Sequence, residues 1–450
     1  MIILENVDEL VNSKVWFARS SALEPLIRRP GEAKRYVRSV FEPAQKDFGE
    51  YWQRRIGAQR NGTFENWCRE GHEADMLLAH FKPELSEPNI ATYRSRVVET
   101  KSTWDPMSQS ENTEVRREFY QIASPGPSES DLIVATAAIF RSVGRRVADE
   151  YREPISQVVI GIPSISPKTE AESYRLATER RRQALVEADF AGEFGARDIE
   201  VTFQPESLAA ARGIDLQPHR ESQALMIIDA GAGTTDMSLV ELNRLGSGLV
   251  EVGNETVSGS HRFGGRNLNE AMANCILRGN SGLRDAFKLL DGRARQVTLD
   301  AQFEDAKRQF SSGNEFADIT FVDVANTLGL TAHDQRNSQL LSQRQHCLLS
   351  ALTPSLELEL DMQSRRSGFG ATLNNFITLC AADSGVASRH FSVVFVGGAF
   401  RFAPLRTFVE ARFRELLGFD PPITFDAEGA YLQTAVALGL GRTAGRRLMK

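Results

Sequence analysis

Between Asp229 and Asp236 the chain reads Asp-x-Gly-x-Gly-Thr-Thr-Asp, inside the longer segment Leu225–Leu239, LMIIDAGAGTTDMSL. An apolar strand enters this turn and a second strand-like run, MSLVEL, leaves it. Gly231 and Gly233 let backbone N–H groups approach an anion with no Cβ in the way. Thr234 and Thr235 add hydroxyl donors. Asp229 and Asp236 are suited to hold a hydrated Mg²⁺, which keeps most of its waters and takes one or two carboxylates. These are the groups that a nucleoside triphosphate with its metal requires. A dinucleotide-binding Gly-x-Gly-x-x-Gly is excluded, because Asp236 stands at the third glycine position and a strand follows where a helix is needed. A hairpin that uses Gly, Thr and Asp for turn geometry alone would have the same composition.

Such a turn needs sheets and helices to hold it, and the surrounding sequence supplies them. Gln157–Pro163, QVVIGIP, reads as a buried strand, Lys168–Phe190 as a long helix and Ile199–Phe203 as a further strand. Glu206–Arg212, ESLAAAR, opens the next helix. Before these, apolar residues recur at helical spacing from Asp131 to Tyr151. Strand, helix, strand, helix and strand pair make an α/β architecture. Past the hairpin, Phe263–Leu268, FGGRNL, introduces a helix with Gly264 and Gly265 at its head, a place suited to phosphate or simply to a tight loop-to-helix junction. Phe303–Ser311, FEDAKRQFS, sets Glu304, Lys307, Arg308 and Ser311 on one helix face, either as a ligand surface or as a solvated face with internal ion pairs. Beyond Ser311 the chain reads as strand-rich and polar. It then forms a buried strand, Ser392–Val396, that ends in Gly397-Gly398 and enters a helix near Pro404, and Tyr431–Leu440 forms a closing helix.

Residues 1 to about 125 are the least patterned, with a strand-like start and then a helical, aromatic-rich region containing Trp52, Trp67 and Trp104. At 450 residues the chain suits two lobes. A net charge of -6 with 25% charged residues gives no nucleic-acid footprint, and the basic run Arg442–Lys450 reads as a solvated tail. Cys68, Cys275, Cys347 and Cys380 form no Cys-x-x-Cys pair, so neither a zinc site nor a disulfide framework is expected. The start, MIILENVDELVNSKVW, lacks the basic region of a signal peptide, and no apolar run reaches the length of a membrane span. The expectation is a cytoplasmic protein with no membrane or nucleic-acid partner.

Taken in order, VVIGIP, ESLAAA, DAGAGTTD, FGGRNL, EDAKRQFSS, VVFVGGAFR and a closing AVALGLG resemble the actin-like ATPase superfamily, over roughly residues 130 to 441. Within it the chain is most similar to the nucleotide-binding domain of the seventy-kilodalton heat-shock (DnaK-type) chaperones, and the Glu-x-x-Lys-Arg-x-x-Ser helix is the most specific element. The resemblance implies a two-lobed, ribonuclease H-like α/β fold with mixed sheets flanked by helices. Lobe I would span 1–222, with an insert-like helical subdomain at 40–125, lobe II 223–428, and a helix in 429–450 would return to lobe I.

It further implies ATP or ADP with Mg²⁺ as ligands. Asp229, Gly231, Gly233, Thr234 and Asp236 would form the second phosphate loop and the water shell of the metal, and Glu206 would order metal-bound water. Gly264 and Gly265 head a lobe II helix. Glu304, Lys307, Arg308 and Ser311 would surround adenine and ribose, with Gly397, Gly398 and Arg401 closing the other side. There Arg308 and Arg401 would stack on the purine while Glu304 and Lys307 take sugar hydroxyls.

The sequence also departs from the family. Its first phosphate loop, Asp-x-Gly-Thr-Thr on an N-terminal hairpin, has no counterpart in residues 1 to 60. Asp47-Phe48-Gly49 is followed by Glu50, and Asp383-Ser384-Gly385 comes too late. Ala232 replaces a loop glycine, Gln433 and Thr434 replace an acidic position, and no lysine is assigned the catalytic place. MIILENVD resembles the chain just after the missing hairpin, so an internal start at Met1 is one expectation and a real loss of the loop is the other. The chain stops soon after the closing helix, and no attached peptide-binding domain is expected. Three functions follow: an ATPase module whose lobe closure is read by an unidentified protein partner, a nucleotide-binding scaffold with little or no turnover, and a small-molecule kinase. The last would need a sugar-binding loop and a lobe I general-base aspartate, and neither is found.

Overall fold

The computed structural model describes residues 157–167, 170–189, 199–214, 223–231, 233–244, 250–289, 303–319, 340–341, 343–362, 368–382, 391–425 and 438–441. It also describes positions 129, 132–133, 136–137, 140 and 435–436, residues 85–87, and the backbone of seven strands in 1–121. Ala232, Trp52, Trp67, Asp47–Gly49, Asp383–Gly385, Gln433, Thr434 and Arg442–Lys450 lie outside the described residues.

The strands before the first long helix are β1 (Ile2–Leu4), β2 (Trp16–Arg19), β3 (Ala22–Pro25), β4 (Val40–Phe41), β5 (Leu78–Ala79), β6 (Arg94–Asp105), β7 (Ser110–Gln121) and β8 (Gln157–Ile162). There follow α1 (Ala171–Glu187), β9 (Glu200–Pro205), α2 (Glu206–Gly213), β10 (Ala224–Ala230), β11 (Thr235–Arg244), β12 (Val250–His261), α3 (Gly265–Gly279), α4 (Ser281–Leu289) and α5 (Glu304–Ser311). The remainder is β13 (Phe316–Ile319), β14 (Gln345–Leu348), α6 (Leu349–Met362), α7 (Phe369–Ala382), β15 (Phe391–Val396), a 3₁₀ turn (Gly398–Arg401), α8 (Ala403–Leu417) and β16 (Ile423–Phe425).

Two five-stranded sheets dominate, in the orders β3-β2-β1-β8-β9 and β12-β11-β10-β15-β16. In each, the first three strands run antiparallel in succession, and the leading strand then pairs parallel with a fourth, which pairs parallel with a fifth. β8, β10 and β15 are buried along their whole length, as strands flanked on both sides must be, and their apolar runs QVVIGI, ALMIIDA and FSVVFV reflect it.

The pairing changes the reading of the N-terminus. Ile2–Leu4 is the middle strand of the first sheet. It pairs antiparallel with Trp16–Arg19 and parallel with Val158–Ile160, so β1–β2 takes in the first sheet the position that β10–β11 takes in the second. The connection between β1 and β2, residues 5–15, lies outside the described residues and contains neither glycine nor threonine.

Two further expectations are corrected. Part of the insert read as helical is a hairpin, β6 with β7, in continuous register from Arg94↔Gln121 to Asp105↔Ser110. Val97, Val98, Thr100, Thr103, Trp104, Val115, Phe119 and Tyr120 are the β-branched and aromatic residues that favour a pleated strand, and Asp-Pro at 105–106 is a turn-favouring dipeptide in the sequence. The stretch beyond Ser311, read as strand-rich, holds two fourteen-residue helices, α6 and α7, besides β13 and β14. Burial of Phe369, Leu373, Phe376, Ile377 and Cys380 follows the helical period, whereas Pro354 inside α6 masks that helix at sequence level.

Alternation in the second sheet splits its side chains between two layers. Met226, Ile228, Val393 and Phe395 face a large core shared with α3, α5, α6, α7 and α8. Leu225, Ile227, Val394 and Val396 face a smaller cluster containing Ala209, Ala210 and Ala211 of α2, Ala435, Val436 and Leu440 of the closing helix, and Val159 of β8. α2 and the closing helix touch backbone to backbone. A Cβ on Gly213 would lie 1.7 Å from the carbonyl oxygen of Ala435, and one on Gly439 would lie 1.6 Å from that of Ala209. Small residues four apart, Ala209/Gly213 and Ala435/Gly439, permit this approach between the two sheets.

Cys275, Cys347 and Cys380 form no disulfide among the described residues, and burial followed by the charge of Asp318 pushes the Cys347 thiol up to about 11. Among the described residues no helix is long and apolar enough to cross a membrane.

Candidate functional site

The expected site residues gather at the carboxyl ends of the parallel strands, where open α/β sheets bind their ligands. Glu206 follows β9, Asp229 is the penultimate residue of β10, and Gly397 follows β15. Gly397 has φ +88, and a Cβ there would lie 2.3 Å from the carbonyl oxygen of Ala230 and 2.5 Å from Oδ1 of Asp229. The Asp229 carboxylate, 8% exposed, thus lies against bare glycine backbone. Glu206 is buried, with its side chain laid over Gly161 of β8, where a Cβ would come 2.9 Å from Cγ of Glu206.

The hairpin turn is tied to the head of α3 and to α5 by a chain of hydrogen bonds. Gly231 N–H donates to the carbonyl of Thr234 (2.9 Å), and Gly265 N–H donates to the carbonyl of Gly231 (2.9 Å). Lys307 Nζ donates to the carbonyl of Gly265 at 2.8 Å and pairs with Glu304 Oε2 at 2.6 Å. Asn269 Nδ2 donates to the same Glu304 oxygen (3.2 Å), and Arg308 Nε lies 3.4 Å from Oε1 of Glu304. The three motifs that sequence order linked are one connected structure. Asn267 Oδ1 accepts from Gly264 N–H (3.0 Å), closing the start of α3.

Not every expected residue faces a ligand. Thr234 and Thr235 point to opposite sides of the strand pair. Thr235 is fully buried and its hydroxyl donates to the carbonyl of Phe263 (2.7 Å), so it fixes the turn to α3 and is not a phosphate donor. Both oxygens of Asp236 are engaged: Oδ1 accepts from Ser164 N–H (2.7 Å) and Oδ2 from the Thr234 hydroxyl (3.0 Å). Asp236 therefore joins the two sheets more directly than it serves a metal. Glu304 and Lys307 are engaged with each other, and Arg308 is the more exposed group of that helix. Gly233 is half-buried in the turn, Ser311 half-buried at the end of α5, and Gly398 and Arg401 are exposed on the 3₁₀ turn.

Sequence reading missed a buried row of hydroxyls. Ser164 after β8, Ser207 of α2, Ser238 of β11 and Glu255 of β12 are hydrogen-bonded in succession. They lie 43, 31 and 17 residues apart, a separation that no local pattern marks. Burial pushes the Glu255 carboxyl up, with Asp236 adding to it, against the lowering effects of Ser238 and Arg212. A cleft of about 300 Å³ opens beside this row, and Thr234 of the hairpin lines it together with Pro163, Glu170, His261 and Arg262.

Residues 130–282, which run through β8, the hairpin and the whole of α3, match the MreB/Mbl protein family. The chain is also similar to the chaperone protein DnaK of Thermosipho melanesiensis, 23% identical over 348 residues, covering 72% of this chain and 53% of that protein. It is 25% identical over 310 residues to the chaperone protein HscA of Cronobacter sakazakii, covering 68% and 41%. With DnaK of Thermoplasma acidophilum the identity is 24% over 193 residues, 43% of this chain and 28% of the relative. In sequence the chain is similar to Hsp70-type modules of the actin-like ATPase kind. This Hsp70-like module spans about half the length, or less, of the curated relatives it matches. Its mixed sheets flanked by helices are what the resemblance in sequence led one to expect of the fold.

Proposed function

We propose that the module binds ATP and ADP with Mg²⁺ at the carboxyl ends of β8, β10 and β15, and hydrolyses ATP to ADP and phosphate as its two sheets close on the nucleotide. The observation that carries this reading is the hydrogen-bonded chain from Thr234 through Gly231, Gly265 and Lys307 to Glu304, which holds a phosphate-type turn and an adenosine-type helix in one frame. The residues fit the metal as well as the nucleotide. Asp229 and Glu206 are two buried carboxylates, no cluster of three or more His, Cys, Asp or Glu capable of holding a metal occurs among the described residues, and Mg²⁺ needs only one or two carboxylates beside water and phosphate. Such an ion supplies charge neutralisation at the phosphate oxygens.

Within that reading Asp229 holds the water shell of the metal and Glu206 orients the attacking water, while the amides of the Gly231–Gly233 turn and the Thr234 hydroxyl receive the phosphates. Arg308 covers the base. Phosphoryl transfer depends mainly on positioning and charge stabilisation, which is what these residues offer. Closure is the output, to be read by a protein partner as in chaperone-type modules. A second reading keeps the nucleotide but little or no turnover. The β1–β2 connection, ENVDELVNSKV, favours it, because it lacks the Asp-x-Gly-Thr-Thr set at the place that mirrors the glycine turn.

Single-turnover phosphate release from MgATP tests the choice. Hydrolysis that falls at least about a hundredfold in Glu206→Gln, with ATP affinity retained, supports the ATPase reading. Bound ATP recovered intact from the parent chain supports the scaffold. Arg308→Ala should weaken binding of both nucleotides by about tenfold, and equal calorimetric affinities would remove Arg308 from the site.

A further inference from the structure

The first turn of α2 carries Glu206, and its N-cap, Pro205, makes no side-chain hydrogen bond. A helix start leaves its first amides without partners inside the helix. One of them, Ser207 N–H, donates to Oγ of Ser164, which follows β8, at 3.4 Å. The Ser207 hydroxyl is bonded to Ser164 on one side and to Ser238 of β11 on the other, and all three residues are fully buried. Ser238 donates to Glu255, and a hydroxyl has one hydrogen to give, so Ser238 accepts from Ser207 and Ser207 from Ser164. Every hydroxyl of the row therefore both gives and receives a bond.

We propose that Ser207 is a positioning residue for hydrolysis, pinning the first turn of α2 to the second sheet so that Glu206 keeps its place relative to phosphates held by the β10–β11 turn. This role rests on the hydrolytic reading of the site. Glu206 and the glycine turn belong to different sheets, for one follows β9 of the first sheet and the other joins β10 to β11 in the second. A water oriented by Glu206 has to meet a phosphate held by the turn, and a misplacement of about 1 Å in such an alignment costs about a hundredfold in rate. The two must stay in register across the joint between the sheets. Ser207, next to Glu206 in the chain, stands where the hydroxyl row crosses that joint.

One strand supplies both points of the grip. Asp236 and Ser238 are two residues apart on β11 and share a face. Asp236 Oδ1 accepts from Ser164 N–H at 2.7 Å, and Ser238 accepts from the Ser207 hydroxyl. The chain after β8 and the start of α2 are thus fastened to the same face of the strand that leaves the phosphate turn. Farther along α2, Ala209, Ala210 and Ala211 lie in the apolar cluster with Leu225 and Ile227. Apolar contact is non-directional, whereas hydrogen bonds have preferred distances and angles, so the aim of the first turn falls to the hydroxyl bonds.

The test is single-turnover hydrolysis of MgATP by the full chain and its variants, with MgATP affinity measured by calorimetry. Removing the Ser207 hydroxyl leaves Ser164 its contact with the Ser207 amide and Ser238 its bond to Glu255, so neither neighbour is orphaned. Ser207→Ala should lower the hydrolysis rate about tenfold while MgATP affinity stays within about twofold of the parent. In a Glu206→Gln background the same substitution should cost less than about twofold, because the carboxylate it positions is gone. An unchanged rate in folded Ser207→Ala, a loss of affinity that matches the loss of rate, or a full additional loss in the Glu206→Gln background overturns the assignment. If Ser207→Ala does not fold, as judged by its melting profile, Ser238→Ala removes the same bond from the strand side and is judged by the same outcomes. A parent chain that binds MgATP without releasing phosphate overturns the hydrolytic reading and this role with it, an outcome distinct from a parent that hydrolyses ATP and is indifferent to Ser207.

Discussion

The hairpins β1–β2 and β10–β11 hold the same place in two sheets of the same strand order, and they differ in what the turn carries. The second has Asp229, two glycines and Thr234, with Gly397 and the head of α3 packed against it. The first connects through ENVDELVNSKV, which has no glycine to bring amides close to an anion. One architecture thus appears twice, and the chemistry legible in the chain belongs to one copy. Strand order is set by apolar runs and connections, whereas phosphate chemistry is set by a few residues at a turn, so the second can be absent while the first persists.

The largest expected effect comes from breaking the layer that the two sheets share. In Gly213→Ala the new Cβ would meet carbonyl and amide atoms of the closing helix, and backbone has nowhere to retreat. We expect a loss of at least ~3 kcal/mol in denaturant unfolding, with both sheets affected. A stability equal to the parent would show that the helices do not cross as described.

Gly397→Ala acts on the second sheet alone. Its positive φ and the 2.5 Å approach to Asp229 predict a loss of ~2 kcal/mol, together with MgATP affinity reduced by more than the stability change explains. Parent-like affinity in the folded variant would separate Asp229 from the site.

A smaller effect distinguishes the buried hydroxyl row. The folded state holds Glu255 with its carboxyl pushed up, so the fold favours the protonated form. The stability this contributes is fully present below the carboxyl value of the unfolded chain and is lost as pH rises through the raised value. Glu255→Gln keeps an oxygen acceptor for Ser238 without the charge. It should flatten the decline across that window by ~1 kcal/mol, read as unfolding midpoints against pH. An unchanged pH profile would place the titration elsewhere.

The second sheet was readable because its signals are local. ALMIIDA and FSVVFV are buried strands with glycine turns at their ends, and EDAKRQFS repeats on one helix face. In the first sheet β8 and β9 were readable in the same way, but the place of β1 was not, because it is three residues long and is defined only by pairing with Val158–Ile160, far along the chain. Thr235 and Asp236 were assigned by motif, and the motif does not say which face of a strand a side chain takes or what neighbour claims it. Their partners Phe263 and Ser164 come from other elements. Ser207 and Gly213 carried no chemical signature at all, although the small-residue spacing of Gly213 with Ala209, repeated in Ala435 and Gly439, was present to be read.

The central claim is that the nucleotide and its metal are held by the second hairpin, and calorimetric titration of MgATP into the parent chain and Asp229→Asn tests it most directly. The account predicts a measurable affinity in the parent that falls at least about tenfold in the variant, with the difference shrinking when Mg²⁺ is withheld. Equal affinities with and without the carboxylate, in a variant that melts like the parent, would contradict it.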